Sequence, residues 1–209
     1  MNIIFEGIGG SGKTTLIKDL CKKLDNKNIE YELIGDLKYE TPIRQVLLDM
    51  VQEAPLMNGE KKFKTGLYES LLLAANHHYV QEKLRDSNKI CIYDRDFISL
   101  LSYQKEILKA DYEDYEEIYS IYRKLVLFNL KKVDYIVHLI TSYEECIRRA
   151  SLRDNREFSI DDIRMLKAMN QNMKDEIKLI DNGHNIIRLN GEDCVDKNSS
   201  IILERIREN

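Results

Sequence analysis

The sequence predicts an α/β protein in which helices flank a doubly wound sheet of five parallel strands, forming a single domain over residues 1–209. Three observations predict it. Short apolar runs alternate with helical patterns along the whole chain. Runs such as IIF (3–5) and YIVHLI (135–140) lack polar alternation, as strands covered on both faces do. The length of 209 residues suits one sizeable core and leaves little for a second. No repeat, low-complexity tract or Pro/Ser-rich linker divides the chain.

The elements follow in order. Residues 2–6, NIIFE, are an apolar run closed by a glycine-rich turn and read as a buried strand. Leu16, Leu20 and Leu24 recur at four-residue spacing and predict a helix over about 14–25. Residues 29–35 alternate as a strand, and Thr41 with Pro42 supplies the N-cap and first-turn proline of a helix carrying Ile43, Val46, Leu47 and Met50. Pro55, Gly59 and Gly66 mark 54–66 as a connection. A long helix is predicted over 67–85, a strand over 89–94, and helices over 97–109 and 112–132. VDYIVHLI (133–140) is the strongest strand pattern. Ser142 with Glu145, and Ser159 with Asp162, have the spacing of capping boxes, the second opening a helix to about 181. A strand over 185–189 and a helix over 199–207 close the chain. Tyr112, Tyr115, Tyr119 and Tyr122 form a stripe expected in the core or at a dimer face.

Hydrophobic content of 43%, charged content of 33% and a net charge of −4 describe an ordinary globular chain with no basic field for a nucleic acid polymer. No segment approaches the roughly 18 apolar residues of a membrane span, and MNIIFEG lacks a signal-peptide pattern, so no membrane partner and a cytoplasmic setting are expected. The four cysteines are far apart, with no C-x-x-C pair, and are expected to be buried, reduced thiols rather than a zinc site.

The chemistry begins at GIGGSGKTT (7–15), where Gly7-x-x-x-x-Gly12-Lys13-Thr14 is a P-loop pattern between a predicted strand and a predicted helix. Gly7, Gly10 and Gly12 let the backbone curl, so that N–H groups from Ser11 to Thr15 meet phosphate oxygens at a helix N-terminus. Lys13 brings a point charge to the β- and γ-phosphates, and the Thr14 hydroxyl is placed to ligate Mg²⁺. ATP and Mg²⁺ are therefore expected. Asp94-Arg95 ends the strand over 89–94, where a carboxylate suits Mg²⁺ and a guanidinium suits a second anionic group. Arg148, Arg149, Arg153 and Arg156 cluster around a segment at about 148–158. They read either as a solvated basic face or as a lid that closes over ATP, with Arg149, Arg153 and Arg156 neutralising the transferring phosphoryl group.

These motifs resemble the thymidylate kinase family. FEGIGGSGKTT is similar to that family's E-G-x-D-G-x-G-K-T-T, and DRDFISLLSYQ to its D-R-Y-x-x-S-x-x-x-Y-Q at Asp94, Arg95, Ser99, Tyr103 and Gln104. Tyr68–His77 resembles its E-x-L-L-F-A-A-D-R helix, and the resemblance runs with gaps from residue 2 to about 206. It implies ATP-dependent phosphorylation of a nucleoside monophosphate and a possible homodimer. It also implies acceptor contacts from Arg95, Ser99, Tyr103 and Gln104, with Arg44 as a further candidate.

Departures from the pattern gather on the acceptor side. The family's P-loop aspartate is Gly9 here, and its R-E-P segment reads Gly35-Asp36-Leu37. The aromatic that would stack on thymine is Leu73, and the arginine that would read its edge is His77. One reading is a nucleotide kinase with a rebuilt base pocket, in which His77, His78, Phe63 or Tyr68 supplies contacts. Adjacent helical residues point about 100° apart, so at most one of His77 and His78 faces a given pocket. Another reading is a deoxynucleoside kinase in which Asp36 is the general base on a sugar hydroxyl. A third is a non-catalytic nucleotide-binding module.

Overall fold

The computed structural model describes residues 1–35, 39–53, 65–84, 87–130, 132–155, 157–181 and 185–207, apart from the side chains of 51–53. Asp36, Phe63, Arg156 and His184 lie outside the described residues.

Five strands are present: β1 (Asn2–Glu6), β2 (Tyr31–Gly35), β3 (Ile90–Asp94), β4 (Tyr135–Ile140) and β5 (Ile186–Asn190). They form one parallel sheet in the order β2-β3-β1-β4-β5. Eight helices follow among the described residues: α1 (Lys13–Asp25), α2 (Arg44–Glu53), α3 (Gly66–Lys83), α4 (Phe97–Asp111), α5 (Tyr115–Leu127), α6 (Tyr143–Asp154), α7 (Ile160–Ile180) and α8 (Val195–Arg207).

The sheet is covered on both sides, which explains the missing alternation. Along β1, Ile3 and Phe5 pack with Leu16, Leu20 and Ile202 under α1 and α8. Ile4 faces the other way, with Ile98, Leu101 and Met173 of α4 and α7. Chain order reverses beside β1, and the carboxyl ends of β1 and β3 open there onto a crevice, the place where such sheets take ligands.

Several local readings need correction. The Ser159–Asp162 box forms, with reciprocal bonds of 3.1 and 3.0 Å. The Ser142–Glu145 box does not. Glu145 is held by Arg148 and Arg149 at 2.7 Å, charge-assisted contacts that outcompete a neutral hydroxyl, and Ser142 Oγ donates instead to Glu192. The final helix starts at Val195, where Asn198 Nδ2 donates to the Asn190 carbonyl and ties the turn to β5. The tyrosine stripe belongs to the core: Tyr122 is buried, and Tyr112, Tyr115 and Tyr119 pack against the larger cluster. Cys21, Cys91 and Cys146 are buried free thiols as expected, but Cys194 is exposed at the start of the last helix. Among the described residues no helix is long and apolar enough to cross a membrane.

Candidate active site

The P-loop fills the turn from β1 into α1. Gly10 and Gly12 have φ values of +83° and +100°, the left-handed region that favours glycine. A Cβ at Gly10 would stand 2.2 Å from the Cys146 carbonyl oxygen, so the loop lies flat on α6 with no room for a side chain. Gly9 is different: a Cβ there meets nothing within 4 Å among the described residues, so no steric reason there accounts for the missing aspartate. Lys13 Nζ donates to the carbonyls of Gly7 at 2.6 Å and Ile8 at 3.2 Å and thereby lies along the cradle. Ser11 Oγ is buried without a hydrogen-bond partner among the described residues. Thr15 is exposed.

The loop reaches β3 through a hydrogen bond. Thr14 Oγ1 donates to Asp94 Oδ2 at 3.1 Å. A hydroxyl and a carboxylate side by side are hard oxygen donors, which suits Mg²⁺ shared with phosphates. Among the described residues no group of three His, Cys, Asp or Glu is assembled to hold a metal by protein ligands alone. The orphaned Ser11 hydroxyl and the Cβ-free cradle likewise fit the phosphates of ATP.

Arg95 follows Asp94 with φ +76°, a costly conformation for a residue with a side chain. Its N–H donates to the Phe5 carbonyl at 3.1 Å, and its guanidinium stacks 4.9 Å from the centre of the Tyr103 ring. Beside it opens a cavity of about 380 Å³ formed by the carboxyl ends of β2 and β3 with α2, α3 and α4. Arg95, Tyr103, Gln104, Leu73 and His77 all line it. Arg44 does not line it and pairs instead with Glu40 at 3.4 Å.

Ser99 also lines the cavity, but its hydroxyl is turned to a buried neighbour. Glu6, the last residue of β1, is wholly buried. Its Oε1 accepts the N–H groups of Asp96 at 3.0 Å and Ser99 at 3.2 Å, and its Oε2 accepts the Ser99 hydroxyl. A carboxylate thus caps α4 from across the sheet. Burial pushes its carboxyl up from 4.5 to about 7, against the pull of the Ser99 and Asp96 donors. Gln104 is likewise committed: Nε2 donates to Glu69 at 3.2 Å and Oε1 accepts from Ser70 at 2.8 Å. Ser99 and Gln104 therefore spend their polar groups within the protein.

His77 and His78 part as helical geometry requires. The His78 ring bonds the Leu125 carbonyl at 2.7 Å, while buried His77 sets Nδ1 2.8 Å from Asp96 Oδ1. Asp96 also accepts from Gln81 Nε2 at 3.2 Å. This relay, with Glu6 and the buried phenol of Tyr93, escaped the sequence reading; the one signal was Asp96 standing at the tyrosine of D-R-Y.

The arginines separate. Arg149 is braced on the loop, donating from Nη1 to the carbonyls of Gly191 at 3.0 Å and Ser11 at 3.4 Å, and from Nε to Glu145 at 2.7 Å. Arg153 is exposed, pairs with Asp154 at 2.6 Å, and stands near enough to Arg95 for the two cations to repel. Arg148 points to solvent with Glu145. Arg149 and Arg153 therefore address different parts of the crevice.

The chain is 32% identical over 105 residues to a probable thymidylate kinase of Methanobrevibacter smithii, covering 50% of this chain and 52% of that one. It is 23% identical to the thymidylate kinase of Mycoplasma capricolum over 100% of this chain and 97% of the other. The matched stretches span about half of the Methanobrevibacter, Symbiobacterium thermophilum and Pelodictyon phaeoclathratiforme proteins. In fold it is similar to deoxyadenosine kinase from M. mycoides with bound dATP, at a TM-score of 0.73 and 18% identity over 99% of this chain and 100% of that one. The same enzyme with dCMP and dCDP gives 0.72 at 16% identity, covering 100% of both chains. Residues 5–198 match the thymidylate kinase family model, and with that span and this P-loop the chain belongs to the thymidylate kinase family, whose members are phosphotransferases that use ATP.

Proposed function

We propose that the chain transfers the γ-phosphoryl group of ATP to the phosphate of a nucleoside monophosphate bound in the cavity. The observation that carries this is the junction at the sheet edge: the Thr14–Asp94 contact joins the ATP cradle to the residue preceding Arg95, and Arg95 lines the acceptor cavity. An acceptor phosphate oxygen held by Arg95 attacks the γ-phosphorus. The bond to the β–γ bridging oxygen breaks, and ADP leaves with that electron pair.

Lys13 would leave the Gly7 and Ile8 carbonyls for the β- and γ-oxygens, and the loop N–H groups would hold the rest of the chain of phosphates. Mg²⁺ held by Thr14 and Asp94 would supply further charge neutralisation when bound. Arg153, at the end of a lid spanning about 148–158, would swing from Asp154 toward the transferring group, while Arg149 keeps the loop in shape. Glu6 holds α4 against β1 and so fixes the acceptor floor relative to the cradle.

The test is ADP release with a panel of deoxynucleoside monophosphates and the matching nucleosides. Turnover of monophosphates supports the reading; silence across the panel would leave a binding module and sink it. A second reading, transfer to a nucleoside hydroxyl with Asp36 as base, rests on the fold likeness to deoxyadenosine kinases. Turnover of nucleosides alone would favour it. The exposed apolar residues Leu71, Ile121, Leu125 and Phe128 on and beside α3 and α5 are the surface on which we place a homodimer. Phe128→Glu should halve the mass measured by light scattering, and an unchanged mass would remove this surface. Cytoplasmic operation is part of the same proposal.

A further inference from the structure

Thr141, the residue that follows β4, is 7% exposed, and its hydroxyl donates to the Ser11 carbonyl of the P-loop at 3.0 Å. Arg149 Nη1 reaches the same carbonyl at 3.4 Å, near the limit of a hydrogen bond. Its shorter contact, 3.0 Å, goes to the Gly191 carbonyl. Thr141 therefore has the firmer hold on Ser11. The turn between β5 and α8 closes over this pair, with the Gly191 N–H tied to the Ile140 carbonyl at 2.7 Å. A Cβ at Gly191 would stand 2.1 Å from Thr141 Oγ1 and 2.6 Å from the Ser11 oxygen. Only a glycine lets the turn come so close.

The Ser11 carbonyl is one end of a peptide unit whose other end is the Gly12 N–H. No cis bond occurs among the described residues, so this unit is planar and trans, and its C=O and N–H point in opposite directions. Holding the oxygen against Thr141 turns the N–H away from β4 and the Gly191 turn. Gly12 is the N-cap of α1, where the helix end favours an anion. Its φ of +100° shows a backbone in the region that glycine enters and leaves freely. Turned over, the same unit would aim a carbonyl, not an N–H, at a bound phosphate. One buried hydroxyl thus weighs on which end of the unit the cradle presents.

We infer that Thr141 is a positioning residue for the donor nucleotide. Through the Ser11 carbonyl it holds the Ser11–Gly12 peptide with the N–H toward the phosphates of ATP. Gly191 acts with it by letting the turn after β5 close on the hydroxyl. The inference rests on the ATP cradle of the kinase reading and is independent of the acceptor. Without the hydroxyl, the peptide divides its time between orientations, and apparent affinity falls by the competent fraction that is lost.

The experiment is calorimetric titration of the full chain with MgATP, in the absence of acceptor and below the onset of thermal melting. Thr141→Val keeps the shape of the side chain and removes the donor. Its Kd is expected to rise by about three- to tenfold, the weight of one hydrogen bond. Thr141→Ser restores the hydroxyl and should return the Kd to within about twofold of the parent. An unchanged Kd in the valine variant overturns the inference. So does an equal loss in the valine and serine variants, which would make packing of the methyl group the cause. Thr141→Ala, which also lacks the donor, stands in if the valine variant does not fold. Gly191→Ala should raise the Kd in the same direction, and a folded variant with parental affinity removes Gly191 from the proposal. A parent chain that does not bind MgATP overturns it outright. Turnover is not read, so failure of the kinase reading shows only in the acceptor panel.

Discussion

The phosphate cradle and the cavity beside Arg95 share one sheet edge and are built in opposite ways. The cradle is one contiguous run of backbone, shaped by Gly10 and Gly12 and pressed against α6. The cavity is an assembly of side chains from five elements, and its key contacts join residues far apart in sequence, such as Ser99 to Glu6 across 93 positions. Backbone recognition tolerates little change because each N–H has one place to be. A side-chain pocket can be repopulated while the sheet edge under it stays fixed. The difference teaches why the donor half keeps its pattern while the acceptor half departs from it.

Substitutions can break or sharpen this contrast. The largest effect is expected from Lys13→Ala, which removes a buried cation of the cradle; turnover should fall by about 10²–10³-fold with melting behaviour retained. Loss of less than tenfold in a coupled ADP assay would mean that backbone alone carries the donor side. Next comes Arg95→Ala, expected to raise the acceptor KM by about 10–100-fold while leaving the ATP KM within a factor of three. An equal rise in both constants would show that Arg95 serves the cradle rather than the cavity.

Ser99→Ala is expected to act on stability rather than on acceptor binding, because its hydroxyl is spent on Glu6. Denaturant melts should show a loss of about 1–3 kcal/mol with acceptor KM little changed. A KM effect without a stability loss would return Ser99 to the substrate.

The smallest effect is a pH slope. Glu6, raised from 4.5 to about 7, contributes stability that is full below 4.5 and lost as pH rises through 7. His138, its register partner on β4, is lowered by burial from 6.5 to about 4, so its contribution is full above 6.5 and lost as pH falls through 4. The two slopes oppose each other between these limits. His138→Phe should therefore make stability fall more steeply with rising pH than in the parent, by up to about 1.4 kcal/mol per unit, and Glu6→Gln should do the reverse. Parallel curves for all three proteins would show that neither group titrates as its burial demands.

Much of the fold was legible because both sheet faces are apolar and the helices repeat their leucines. The cradle was legible because its function lies in contiguous residue types. Sequence failed where a residue had two suitors: the Ser142–Glu145 spacing promised a cap, but Arg148 and Arg149 took the carboxylate. It failed again where a contact exists only after folding. Nothing near His77 announces Asp96, and nothing near Glu6 announces Ser99, because α3, α4 and β1 meet only through the sheet. Tyr93 looked like one more strand residue, but its buried hydroxyl has no hydrogen-bond partner among the described residues.

Glu6 bears on how such an enzyme can change. Its carboxylate pins the first turn of α4 to the strand that feeds the cradle, so it acts as a gauge block between cradle and cavity. Helix α3 has no such pin to β1 among the described residues and carries Leu73 and His77, which line the cavity. Side chains of α3 can thus be exchanged without altering the spacing between cradle and cavity.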